Sequence, residues 1–293
     1  MQIFFIGLGQ MGRRMAARLD REETTVWNRS RAILEEFEQK GYQVAPDVET
    51  GTRNASIVIT MLRDQDAVRE VGERGLFRGL HQGQLWIDMT TGGPREAELF
   101  HALAASQGAG FVAAPVLGTL GPARDGTLTV LTGGTQGDVD RAQPILERFG
   151  RVHRLDSPRQ ALVMKLVVNT LLAFYMDAVS ECLPLLDDEG IGRGQALEIL
   201  MSSSVAAPVM KGKAARWKDG HYGDPEFPIA LLSKDLDLMT ALAADRGWDL
   251  PGIVALQGLF REASRQKPYQ SWDMAGIGEA LARRLQDKFR HPS

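Results

Sequence analysis

The sequence predicts an α/β domain built on a doubly wound parallel sheet, followed by an all-α C-terminal domain. Three observations carry that reading. A short apolar run, Ile3-Phe4-Phe5-Ile6, feeds directly into Gly-x-Gly-x-x-Gly at Gly7, Gly9 and Gly12, with a helix after it. Strand and helix patterns then alternate as far as Leu155, as crossover units around a parallel sheet require. From Pro158 onward nearly every periodic segment has helical spacing. A chain of 293 residues suits two domains of roughly 150 residues each, divided as 1–158 and 159–293.

The first helix is expected over Arg13–Leu19 and the second strand over Thr24–Trp27. A helix from Arg31 to Lys40 ends at Gly41, which suits a left-handed C-cap. Ala55–Leu62 is a continuous apolar run with β-branched residues, the pattern of a parallel strand covered on both faces. A helix at Gln65–Glu73, a strand at Gln84–Met89, a helix at Pro94–Gln107 and a strand at Gly110–Val116 follow. Leu117–Pro122 reads as a loop, Gly126–Gly134 as a strand ending in a turn, Gln136–Phe149 as a helix and Val152–Leu155 as the last strand. Gln160–Asp188 contains no glycine and one proline, Pro184, able to kink it, so it reads as one helix of 25 residues or more. Shorter helices are expected around Arg193–Ser203, Pro208–Trp217, Ile229–Arg246, Pro251–Arg265 and Asp273–Asp287.

The formal net charge is −3 and apolar residues make up 44% of the chain, enough for two cores. That balance gives no basic field for nucleic acid or an anionic membrane, so small neutral or anionic metabolites are the expected partners. The single cysteine, Cys182, excludes an internal disulfide and a thiolate metal cluster, and its apolar helical setting predicts a buried small hydrophobe. The histidines at 81, 101, 153, 221 and 291 show no metal-ligand spacing, so no metal site is expected. Residues 1–6 lead straight into the glycine turn rather than forming a secretory leader, and no apolar stretch is read as long enough to span a membrane. A soluble, cytoplasmic protein is the expectation.

The glycine turn has a chemical reading. Gly7 permits the tight turn, Gly9 lets backbone amides approach a pyrophosphate, and Gly12 lets the helix pack close to the strand. The helix N-terminus, with Leu8, Gln10 and Met11 around it, offers unpaired N–H groups and partial positive charge to the anion. The second strand ends about 20 residues further on, where a ribose-reading residue is expected. An NAD site places Asp or Glu there, yet this strand runs out into Asn28-Arg29-Ser30. A guanidinium and a hydroxyl suit a 2′-phosphate, so NADP(H) is predicted over NAD(H), with Arg29 as principal reader and Asn28 and Ser30 assisting. Met61 and Leu62, at the carboxyl end of their strand, join the cofactor set, because ligands bind at that edge of open α/β sheets.

Hydride chemistry also needs an acid or base. On the long helix, Lys165 and Asn169 fall four residues apart and share one face amid apolar neighbours. Spacing alone leaves Lys165 either snorkelling from a core helix or held where desolvation depresses its pKa. Lys234 and Asp235 are, by pattern, charged residues on an amphipathic helix.

Gly7-Leu8-Gly9-Gln10-Met11-Gly12, Ala114-Pro115-Val116 with Gly126-Thr127-Leu128, Lys165-x-x-x-Asn169 and Lys234-Asp235-Leu236 occur in that order along the chain. Together they resemble the β-hydroxyacid dehydrogenase family, which includes 3-hydroxyisobutyrate dehydrogenases and glyoxylate/succinic semialdehyde reductases. The resemblance implies a Rossmann-type domain, a helical domain that assists homodimer or homotetramer formation, and an active site in the cleft between them. It implies Lys165 as the catalytic lysine, Asn169 as a substrate-positioning amide, Thr91 and Lys234 as cofactor contacts, and Asp235 and Phe227 as substrate-site residues. The family's Ser-Gly-Gly after Ala-Pro-Val is here Leu117-Gly118-Thr119. Gly118 and Thr119 are therefore expected to hold the substrate carboxylate in place of the serine hydroxyl. The family's glycine-rich approach to the lysine is replaced by Asp156-Ser157-Pro158-Arg159-Gln160. The expected reaction is NADPH-dependent reduction of a small aldehyde or keto acid, or its reverse, with Lys165 as general acid/base. An imine reductase-like or other carbonyl reductase, and a non-catalytic NADP-binding module, are the competing readings.

Overall fold

The computed structural model describes residues 2–282. The chain divides into two compact units, with the division in sequence between Lys165 and Leu166. The first unit carries β1 (Ile3–Ile6), β2 (Thr24–Trp27), β3 (Gln43–Val44), β4 (Ile57–Thr60), β5 (Leu85–Asp88), β6 (Gly110–Ala113), β7 (Val116–Leu117), β8 (Leu128–Gly134) and β9 (Gly150–Leu155). They form one mostly parallel sheet whose first six strands lie in the order β3-β2-β1-β4-β5-β6. Strand order reverses between β1 and β4, which makes the carboxyl ends of those two strands the natural ligand crevice. Ile6 pairs with Thr60, so the two strands end level there. Beyond β6, β8 runs antiparallel to β6 and β7, and β9 lies parallel to β8.

The apolar strands are continuous because both faces are covered. Ile3, Phe5, Ile57, Ile59, Leu85 and Ile87 pack on one side, with Met15, Leu34 and Phe37. Phe4, Ile6, Val58 and Trp86 pack on the other, with Val68, Leu76 and Phe100. Alternate residues of each strand thus feed opposite cores, as the two-residue period of a strand dictates. The covering helices are α1 (Gln10–Ala16), α2 (Arg31–Gln39), α3 (Val48–Arg53), α4 (Gln65–Val71), α5 (Phe77–Gly79), α6 (Pro94–Ser106), α7 (Leu120–Asp125) and α8 (Gln136–Leu146). A π-helical turn, Gly72–Leu76, joins α4 to α5.

The long helix α9 (Pro158–Asp188) begins in the first unit and continues through the division, with proline at its first turn as helix starts favour. The second unit adds α10 (Arg193–Ser202), α11 (Pro208–Asp219), α12 (Ile229–Ala244) and α13 (Pro251–Ser264) around a core of Met176, Leu183, Met210, Trp217, Leu232, Leu236 and Phe260.

Several expectations are corrected. The first helix starts at Gln10, inside the glycine motif. β3 and α3 were not anticipated; the two-residue strand is too short to show a period, although Asp47, whose side chain accepts from Thr50 N, caps α3 legibly. Leu117–Pro122 is not a loop: β7 includes Leu117, and α7 starts at Leu120 and ends at left-handed Gly126. Cys182 is exposed rather than buried, because it lies off the stripe on which Val179 and Leu183 turn into the core. α9 is long and apolar enough to cross a membrane by length and composition, with a mean hydropathy of 1.6 over its most apolar window. Its buried Lys165, Asn169, Thr170 and Ser180 lie on the face packed against protein, while Leu171, Phe174 and Leu185 on other faces are exposed. The helix expected over Asp273–Asp287 is a 3-10 turn at Met274–Gly276 followed by helical residues 277–282; the rest lies outside the described residues.

Candidate active site

The glycine turn is built by close contacts. Gly7 has φ +103, and a Cβ there would lie 2.3 Å from the Met61 carbonyl oxygen. A Cβ on Gly12 would lie 1.9 Å from the Gly7 carbonyl oxygen, so α1 reaches the turn only because Gly12 has no side chain. Gly9, by contrast, faces open space and is exposed. It is the N-cap of α1, and no side chain caps that helix. First-turn N–H groups have no acceptor within their own helix, so this end can receive an anion. Leu8 N–H is already engaged: it donates to Asn28 Oδ1 at 3.1 Å. Asn28 thereby ties the β1–α1 turn to the end of β2, leaving Gly9 and Gln10 as the exposed part of the turn, with Met11 half-buried against the core.

Arg29 follows, 74% exposed in its side chain, with NH1 3.4 Å from Glu70 Oε2. Ser30 is the N-cap of α2 but makes no capping bond through its hydroxyl. At the ends of the next strands, Met61 N donates to Ile6 O and Leu62 N donates to Thr90 Oγ1 at 3.0 Å. Asp88 Oδ1 accepts from Thr60 Oγ1 at 2.8 Å and from Thr90 N at 3.1 Å, fixing the loop that carries Thr91. Trp86 Nε1 donates to the same threonine hydroxyl. Burial pushes the Asp88 carboxyl up to about 6, against the opposing effect of its hydrogen bonds. No sequence signal beyond a carboxylate closing an apolar strand pointed to this network. Gly118 is exposed, and half-buried Thr119 is the N-cap of α7 with its hydroxyl uncommitted to capping. A cavity of about 350 Å³ lies at the amino ends of β1 and β2, lined by Gln2, Thr25, Gln43 and Asn54 among others; its lining includes no titratable group.

Lys165 is 8% exposed, an unusual burial for an ammonium. Asn169, one turn on, is 1% exposed and donates through Nδ2 to Asp235 Oδ2 at 2.5 Å. A carboxylate can only accept, so this bond fixes the amide and turns the Asn169 carbonyl oxygen away from Asp235 as an acceptor. Asp235 is itself buried on α12, with Lys234 Nζ 2.9 Å from its Oδ1. The start of α12 is anchored by Asp273, which is fully buried and accepts from Lys213 Nζ at 2.8 Å, Glu226 N at 3.0 Å and Phe227 N at 3.4 Å. Phe227 is thus held by its backbone and packs half-buried against the helical core. Lys213 and Asp273 went unnoticed in the sequence, because 60 residues separate them. Within the second unit, then, Asn169, Asp235 and Lys234 come together; Gly7–Gly12, Asn28–Ser30, Met61, Leu62 and Thr91 come to the carboxyl edge of the sheet in the first. Among the described residues no group of three or more His, Cys, Asp or Glu could hold a metal.

Comparison with known proteins adds independent findings. Residues 2–164 match the family described as the NAD binding domain of 6-phosphogluconate dehydrogenase. Residues 160–281 match the NAD-binding domain of NADP-dependent 3-hydroxyisobutyrate dehydrogenase. Glyoxylate/succinic semialdehyde reductase 1 of Arabidopsis thaliana is 30% identical over 96% of this chain and 98% of its own. The 3-sulfolactaldehyde reductase of Escherichia coli is 32% identical over 89% of each. The fold matches that of Mycobacterium tuberculosis 3-hydroxyisobutyrate dehydrogenase, solved with L-serine, at a TM-score of 0.85 and 23% identity, over 96% of this chain and 99% of that one.

Proposed function

Because this chain belongs to the β-hydroxyacid dehydrogenase family of NAD(P)-dependent oxidoreductases, we propose that it interconverts a small aldehyde or keto acid and the corresponding hydroxy acid with NADP(H), using Lys165 as general acid/base. One observation carries the reading: Lys165 is buried one helical turn from an Asn169 whose amide is fixed by Asp235. The uncapped α1 and open Gly9 fit the pyrophosphate, and exposed Arg29 with the unspent Ser30 hydroxyl fits a 2′-phosphate. NAD(H) is the weaker alternative cofactor. The semialdehyde and sulfolactaldehyde reductases among the relatives support an anionic carbonyl substrate, with Gly118 and Thr119 receiving its acid group and Phe227 lining it. We further propose a cytoplasmic homodimer or homotetramer, with domains at 1–158 and 159–293.

The dihydronicotinamide, when bound, supplies hydride to the carbonyl carbon. In reduction Lys165 Nζ gives a proton to the carbonyl oxygen; in oxidation it takes the hydroxyl proton. A free lysine near pKa 10.4 is a poor base at neutral pH, and burial is the means by which proteins bring such a group toward working range. Asn169 contributes by orientation, its amide fixed by the bond to Asp235. The test is NADPH oxidation against glyoxylate, succinic semialdehyde, methylmalonate semialdehyde, tartronate semialdehyde and a set of cyclic imines. Turnover of one or more of the carbonyl acids is expected; activity confined to imines would overturn the assignment. Lys165→Ala and Lys165→Met should bind NADPH normally while kcat drops about 100-fold or more. Full turnover in either variant removes the lysine from proton transfer.

A further inference from the structure

The end of β2 presents a cation without a carboxylate, and α4 supplies the missing one. Glu70, in the last turn of α4, places Oε2 3.4 Å from Arg29 NH1. Its Oε1 is held from the other side by Arg74, through Nε at 3.2 Å and NH2 at 2.8 Å. The Arg29 side chain is 74% exposed and that of Glu70 43%, so a ligand can reach both without disturbing the core. Only one guanidinium nitrogen of Arg29 faces Glu70, which leaves most of its five donors for another partner.

From this geometry we infer that Glu70 is a specificity-determining residue for the adenosine ribose of the cofactor. It competes with a 2′-phosphate for Arg29, and it offers an acceptor to an unmodified 2′-hydroxyl. The inference rests on the reading of Arg29 as the ribose-side residue. Its physical content is a charge argument. A ribose phosphate brought to Arg29 arrives within a few ångströms of a carboxylate that the two bonds from Arg74 keep in place. The like charges repel, and the repulsion offsets part of the gain from the guanidinium. A ribose hydroxyl meets no such penalty and can donate to the same oxygen. Glu70 therefore narrows the preference for NADP(H) over NAD(H) that Arg29 alone would set, and a site with both groups accepts either nucleotide.

The test is calorimetric binding of 2′,5′-ADP and of 5′-AMP to the full chain as wild type, Glu70→Gln and Arg29→Gln; these ligands differ only in the 2′-phosphate and need no turnover. In Glu70→Gln the affinity for 2′,5′-ADP should rise about 3- to 10-fold at 0.1 M salt or below, with 5′-AMP unchanged or weaker, and the gain should shrink as salt is added. Arg29→Gln should weaken 2′,5′-ADP selectively. If Arg29→Gln does so while Glu70→Gln leaves the ratio of the two affinities unchanged or lower, the role of Glu70 is overturned and the reading of Arg29 stands. If Arg29→Gln binds 2′,5′-ADP as wild type does, the reading of Arg29 fails and this inference fails with it.

Discussion

Asp88 shows how much one residue can couple stability to pH. Burial lifts its carboxyl to about 6, and the bonds from Thr60 and Thr90 only partly offset that. The unfolded carboxyl titrates near 3.9, so the native state holds the proton more tightly. The resulting stabilisation is complete below about pH 4 and is lost as pH rises through 6, an effect on the order of 3 kcal/mol. Asp88→Asn keeps an acceptor for both threonines but cannot ionise. Its urea midpoint should therefore change less between pH 4.5 and pH 7 than that of the wild type, and parallel curves for the two proteins would show that Asp88 does not titrate in this window. At this scale the sequence is legible where chemistry has a local spacing. Lys165 and Asn169 share a helix face by arithmetic, and Arg29 follows its strand at the distance where a ribose reader belongs. Asp88 to Thr60, Lys213 to Asp273 and Arg29 to Glu70 span 28, 60 and 41 residues, distances at which no periodicity operates. Cys182 is exposed for a related reason: an apolar neighbourhood in sequence does not say which face of the helix a residue occupies.

Among the elements, the β1–α1 turn depends most on a single atom. Gly12 lies inside α1, where the Gly7 carbonyl oxygen occupies the space a Cβ would take. Gly12→Ala must push strand and helix apart, at a cost of about 1–3 kcal/mol. Lower thermal stability and weaker NADPH binding are both expected, while Gly9→Ala, with open space around it, should melt as the wild type does. A Gly12→Ala protein that matches the wild type in both measurements would show that the turn relaxes freely. The order of the main strands and helices through the first unit is readable because its central strands, β1, β4 and β5, are buried along their whole length and turn residues separate them from the helices. Element ends were less so: β3 and β7 have two residues each, and α7 has six. Segments that short are set by pairing and packing partners elsewhere in the fold.

For the molecule as a whole, the change from alternating strands and helices to helices alone was visible in the sequence, and the structure has both parts. α9 meets the length and hydropathy of a membrane span, but it carries Lys165, Asn169, Thr170 and Ser180 buried along its length and exposed carboxylates toward its end. The chain should stay in the soluble fraction and fail to float with lipid vesicles on a density gradient; co-flotation would reverse that reading of α9. The margins of the sheet govern how the chain behaves before it is fully folded. They are β3 and β7, of two residues each, and β9, which carries exposed Arg151, His153 and Arg154. Such margins give a neighbouring chain little backbone to pair with, and the one longer strand is guarded by charge. A protein whose strands are otherwise among its most apolar segments is thereby protected against edge-to-edge aggregation during synthesis and concentration.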